Sequence, residues 1–115
     1  MQASLAAGWF MLSGTAADAH AIVIAAQPNV DAIVSGASLP IELRFNSRID
    51  RERSRLSLVP PDGSTAILPL KSDVPPDVLI SRASALEAGA YRLHWQVLSV
   101  DGHITRGDIP FSVGR

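Results

Sequence analysis

The chain has 115 residues, which is enough for one packed domain and too few for two. It contains no cysteine, and this excludes disulfides, thiol chemistry and zinc fingers. All ten basic residues and ten of the eleven acidic ones follow residue 19, so the formal charge of that part is zero and nothing in it recruits nucleic acid.

The first 19 residues have the pattern of a secretion signal. Residues 3–12 are apolar over about the length of a signal core and are too short to span a bilayer. Ala17-Asp18-Ala19 puts small residues where signal peptidase requires them, so cleavage would make His20 the first mature residue. Residues 1–19 contain no Lys or Arg, which is unusual for a signal, and a plain disordered tail is the alternative. We expect a signal peptide at 1–19, one domain at 20–115, and export to the periplasm.

After residue 20, apolar and polar residues alternate with period two, and no stretch sustains a helical period, which predicts an all-β domain. The seven predicted strands lie around residues 22–24, 39–45, 56–58, 66–70, 78–80, 91–97 and 109–113. Pro60-Pro61-Asp62-Gly63 predicts a turn, because proline fixes φ early in a turn and glycine accepts positive φ late in it. Residues 31–38 and 71–77 are predicted loops.

Seven short strands fit one sandwich, and two features indicate the immunoglobulin-like, Greek-key type. Tyr91 follows Gly89 at the start of a late strand, as a tyrosine corner requires, and Trp95 on the same face would fill the core. His94 lies on the opposite, polar face of that strand, so we expect it to point into solvent. Sandwiches of this type do not define a function.

Two fragments point to a metal site. An N-terminal His20 would offer both a free amine and an imidazole to the same ion. Asp101 and His103 are separated by one residue in the loop before the last strand, so they can face the same side. Together these groups form an N,N,N,O donor set, which tetragonal copper(II) prefers. The alternative interpretation of Asp101-Gly102 is a plain hairpin turn.

The sequence resembles the CopC family of small periplasmic copper-binding proteins over residues 20–115. The resemblance rests on the start His20-Ala21, the strand at 41–45, the segment with Gly89, Tyr91 and Trp95, and Ser99-Val100-Asp101-Gly102-His103. It implies that His20, Asp101 and His103 are copper(II) ligands and that the partner is a CopD-type inner-membrane protein. Where many members carry a glutamate after the second strand, this chain has Ser47.

Copper(I) prefers soft donors such as thioethers and thiolates. The two methionines, Met1 and Met11, both precede the expected cleavage point, so the mature chain offers none. We therefore expect a monomeric binding protein, not an enzyme, that sequesters or delivers copper(II). One alternative is a metal-free immunoglobulin-like interaction module. The other is a small copper oxidase with an N-terminal histidine brace, which would need an open coordination position.

Overall fold

The computed structural model describes residues 21–36 and 38–114, which contain eight β-strands. The strands are β1 Val23–Gln27, β2 Ala32–Val34, β3 Ser38–Phe45, β4 Ile49–Val59, β5 Ala66–Ile67, β6 Val78–Ser84, β7 Gly89–Ser99 and β8 Ile104–Val113. The described residues form no helix that is long and apolar enough to cross a membrane.

The strands form two sheets that pack face to face. One sheet has the order β1-β3-β6 and the other the order β2-β8-β7-β4-β5. Successive strands often lie in different sheets, as in Greek-key sandwiches, whereas β7 and β8 form an antiparallel hairpin within one sheet. The prediction of an all-β, immunoglobulin-like sandwich is confirmed.

The core lies between the sheets and is built from the inward-facing residues of alternating strands. Buried and exposed residues alternate along the whole of β3, and β7 buries every second residue from Tyr91 to Ser99. Two aromatic pairs connect the packed elements: Phe45 meets Trp95 edge to face at 5.3 Å between ring centroids, and Tyr91 stacks on Phe111 at 5.5 Å. The predicted core face of β7 is therefore correct.

The tyrosine corner is also present. The Tyr91 hydroxyl donates a hydrogen bond of 2.7 Å to the carbonyl oxygen of Glu87, four residues upstream. The ring itself is 6% exposed, so this bond satisfies a polar group at the edge of the core. It fixes the chain where it enters β7.

Two sequence predictions about strands were wrong. The predicted loop at 31–38 contains β2, which pairs in parallel with β8 through partners such as Ala32 and Phe111. β2 has three residues and its middle residue, Ile33, is 80% exposed, so it has no local alternation that would reveal it. The predicted strand at 66–70 is shorter than expected, because only residues 66–67 pair with β4.

The first strand exists, but Ile22 just before it and Ile24 within it face outward. Ile22 and Ile24 are 57% and 60% exposed, whereas Ala21 is completely buried. The pairing of β1 with β3 shifts register between Val23 and Ala25, and a shift of this kind redirects side chains along an edge strand.

Gly107 generates a test of the core packing. It lies opposite Trp95 in the β7–β8 pair, and a Cβ at this position would come within 2.6 Å of the indole Cζ2. Gly107→Ala therefore forces a well-packed indole to move, and we expect the free energy of unfolding to fall by about 1–3 kcal/mol.

Gly114→Ala is the matched control, because the nearest heavy atom to its added Cβ would be 3.6 Å away, at ordinary contact distance. Urea unfolding of the metal-free variants measures both effects. A Gly107→Ala variant as stable as the Gly114→Ala control would contradict this packing of Trp95.

Candidate metal centre

The turn between β7 and β8 holds two of the three predicted ligands. It is closed by two backbone hydrogen bonds, from Ser99 N–H to the carbonyl of His103 at 2.8 Å and from Gly102 N–H to the carbonyl of Ser99 at 2.9 Å. Gly102 has φ of +94°, a conformation that glycine adopts without steric cost. The turn therefore fixes the backbone on both sides of Gly102, where Asp101 and His103 lie.

The side chains of Asp101 and His103 contact each other within this turn. His103 Nδ1 is 3.2 Å from Asp101 Oδ1, and the two side chains are 52% and 44% exposed. Two donors that bind one ion at right angles, each about 2.0 Å from it, are about 2.8 Å apart. The pair is thus close to the separation that a shared metal ion requires, and solvent reaches it.

Hydrogen bonds keep the Asp101 carboxylate in its charged form. The Ser99 hydroxyl donates to Asp101 Oδ1, and the imidazole and backbone N–H of His103 donate to the same oxygen. These contacts lower the pKa of Asp101 below its ordinary value, with the Ser99 bond as the largest cause and the His103 side chain as the second. A carboxylate that is ionised at neutral pH is the form that binds a metal ion.

The beginning of β1 is anchored beside the turn between β3 and β4. Ala21 is completely buried in the core. Ile22 N–H donates to the side-chain oxygen of Asn46 at 2.8 Å, and Asn46 N–H donates back to the carbonyl of Ile22 at 2.9 Å. The two residues that follow His20 in the sequence are therefore held by packing and by hydrogen bonds.

The β3–β4 turn also contacts the turn that carries Asp101 and His103. Val100 N–H donates to the carbonyl of Arg48 at 3.3 Å, and Ile49 pairs with Ser99 across β4 and β7. Ser47 lies between Asn46 and Arg48 in this turn, and its buried hydroxyl has no hydrogen-bond partner among the described residues. Three segments, the start of β1 and the two turns, thus meet at one end of the sandwich.

The structure brings together Asp101 and His103, and His20 lies outside the described residues. Within residues 21–36 and 38–114, no three His, Cys, Asp or Glu side chains form a group that could hold a metal ion. Asp101 and His103 therefore supply two of the donors of the candidate site. A complete metal site would need a further donor from outside residues 21–36 and 38–114.

His94 lies on the outer face of β7, as the alternation predicts. Its Nδ1 is 2.8 Å from Asp108 Oδ1, and Arg92 also contacts that oxygen at 3.3 Å. His94 is five residues before Ser99, about 17 Å along the strand. It takes part in a surface charge cluster and is remote from the turn.

Sequence patterns alone assign no role to Ser99 or Asn46. Ser99 precedes Asp101 by two residues, a spacing at which a hydroxyl can bond to a neighbouring carboxylate, and this was the available signal. No local sequence signal indicates the role of Asn46, because its partner Ile22 is 24 residues away in the sequence.

Comparison with known proteins identifies the relatives of the chain. Residues 23–114 match the family described as the CopC domain. The chain is 32% identical over 98 residues to protein YobA of Escherichia coli strain K12, a match that spans 83% of this chain and 79% of YobA. It is 26% identical over 100 residues to the copper transport protein CutJ of Bacillus subtilis, which spans 84% of this chain but 18% of CutJ.

Solved structures show the same similarity. CopC from Methylosinus trichosporium OB3b superposes with a TM-score of 0.73 at 28% identity, covering 82% of this chain and 93% of that one. PcoC, a methionine-rich copper resistance protein from Escherichia coli, superposes with a TM-score of 0.66 at 25% identity, covering 84% of this chain and 100% of that one.

Proposed function

Since the chain belongs to the CopC domain family, we propose that it is a copper-binding protein of copper resistance and homeostasis, which holds copper(II) and sequesters or delivers it. The similarity to a copper transport protein and to a copper resistance protein supports this function. The proposed ligands are the amine and imidazole of His20, the imidazole of His103 and the carboxylate of Asp101.

The contact between Asp101 and His103 is the observation that carries the proposal. It places an oxygen and a nitrogen donor 3.2 Å apart on a closed turn. His20 is bonded directly to Ala21, and consecutive Cα atoms are about 3.8 Å apart. Because Ala21 is buried and Ile22 is hydrogen-bonded, the donors of His20 would start from a fixed point near the β3–β4 turn. Three nitrogens and one oxygen suit copper(II).

The arrangement favours binding over oxidation of a polysaccharide. An oxidase needs an open coordination position, and Asp101 would occupy one of the four in the proposed site. The aromatic residues of the described part are all buried, so they offer no stacking surface for a sugar. In a metal-free interaction module, the contact between Asp101 and His103 would serve only to stabilise the turn.

The proposal includes export to the periplasm and a membrane partner. Processing after Ala19 would release a periplasmic monomer with His20 at its terminus. A CopD-type inner-membrane protein would then receive the ion or supply it. The similarity to part of the much longer CutJ supports a role of the domain in transport.

The ligand assignment predicts the effect of three histidine substitutions. Mature protein that begins at His20 should bind one copper(II) ion. Loss of a ligand costs more than loss of an outer-shell partner, so His20→Ala or His103→Ala should weaken binding by more than about a hundredfold. Competition titration with a copper(II) chelator measures the affinities.

His94→Ala is the matched control, because His94 is bonded to Asp108 on the outer face of β7. It should bind copper(II) as the wild type does. A loss of affinity in His94→Ala equal to that in His103→Ala would contradict the assignment.

The proposed oxidation state is tested by reduction. Treatment of the copper(II) protein with ascorbate should release the metal, because the mature chain has no thioether or thiolate for copper(I). A copper(I)-specific chelator added in stoichiometric amount detects the released ion. Retention of copper(I) against that chelator would show that the protein also holds the reduced ion.

A further inference from the structure

We propose that Ser99 is a positioning residue of the metal centre, whose buried hydroxyl holds the Asp101 carboxylate in the orientation that meets the ion. The inference rests on the proposed function, because it concerns the same site. It assigns a role to a residue that does not itself bind copper.

Ser99 is fixed independently of its side chain. It is the last residue of β7, is 3% exposed, and pairs with Ile49 of β4. Its backbone N–H and carbonyl close the turn through bonds to His103 and Gly102. A substitution that removes only the hydroxyl therefore leaves these backbone contacts in place.

The hydroxyl of Ser99 donates its single proton to Asp101. Two acceptors lie within reach, Asp101 Oδ1 and the carbonyl oxygen of His103 at 3.2 Å. The carbonyl already accepts the backbone N–H of Ser99 at 2.8 Å, whereas the carboxylate is charged and takes the stronger bond. The Ser99 hydroxyl therefore donates its hydrogen bond to the Asp101 carboxylate.

Ser99 is the donor that can persist when the metal binds. Among the described residues, the other donors to Asp101 Oδ1 both belong to His103, a proposed ligand. Its imidazole would give up this bond to hold the ion, and its backbone N–H contact is long, at 3.4 Å. Ser99 carries no metal-binding role and is held within a strand. Because the Asp101 side chain is 44% exposed, packing alone does not fix its rotamer. Outer-shell hydrogen bonds of this kind orient ligands, and their loss typically lowers metal affinity about 10- to 100-fold.

The experiment compares copper(II) affinity and the electron paramagnetic resonance spectrum across Ser99 variants of the mature protein. Ser99→Ala should bind copper(II) about 10- to 100-fold more weakly, with a changed copper hyperfine splitting. Ser99→Thr and Ser99→Val have the same shape and differ in the hydroxyl, so Thr should restore affinity and spectrum and Val should not. This pair separates loss of the hydrogen bond from a change in packing.

Ser81→Ala is the matched control. Ser81 is also buried, at 7% exposed, and its hydroxyl donates to the carbonyl of Pro69 in a part of the fold that does not contact the β7–β8 turn. It should leave affinity and spectrum unchanged. In an Asp101→Ala background, Ser99→Ala should cause no further loss, because Ser99 acts through Asp101.

The outcomes distinguish the two proposals. If the wild type fails to bind copper(II), the proposed function is wrong and the role of Ser99 falls with it. If the wild type binds, and Ser99→Ala and Ser99→Val match its affinity and spectrum, the positioning role alone is overturned. A further loss from Ser99→Ala in the Asp101→Ala background would also overturn it.

Discussion

The hydrogen-bonded closure of the β7–β8 hairpin is the constraint on which the candidate site depends. The two strands pair without interruption from Gly89 and Val113 to Leu98 and Ile104. Side chains alternate along each strand, so a slip of one residue would move every side chain to the other face of the sheet. The packing of Trp95 over Gly107 opposes such a slip, because a larger residue opposite the indole would clash. The core thus sets the register, and the register sets where the turn with Asp101 and His103 emerges.

The second constraint on the candidate site is the anchoring of the residues just before β1. Their hydrogen bonds are independent of the β7–β8 hairpin. Ala21 enters the core, and Asn46 satisfies both backbone polar groups of Ile22. The candidate site therefore draws on segments far apart in sequence, each fixed by its own contacts. Groups that are already in place lose little freedom on binding, which favours affinity. The sandwich itself does not define a function, so the proposed function rests on these few residues at one end.

The alternation and spacing of residues in the sequence predicted those features of the fold that depend on neighbouring residues. β3 and β7 were predicted correctly because one face of each meets the core and the other meets solvent, which leaves alternation in the sequence. The proximity of Asp101 and His103 followed from their spacing around Gly102. β2 was missed because its parallel pairing with β8 is a long-range contact. The role of Asn46 depends on a partner 24 residues away, and that of His20 depends on processing.

The central claim is that the site is built on the free amine of His20, and a single added residue tests it. Mature protein that begins at His20 is compared with a form that retains Ala19, which converts the amine into an amide nitrogen, a poor donor near neutral pH. Thermal unfolding of both forms is measured with and without copper(II). Without metal the two should unfold at nearly the same temperature, because both forms keep the buried Ala21 and the hydrogen bonds of Ile22. With copper(II), the form with free His20 should gain stability by mass action and the extended form should gain far less. Equal stabilisation of the two forms by copper(II) would contradict the account.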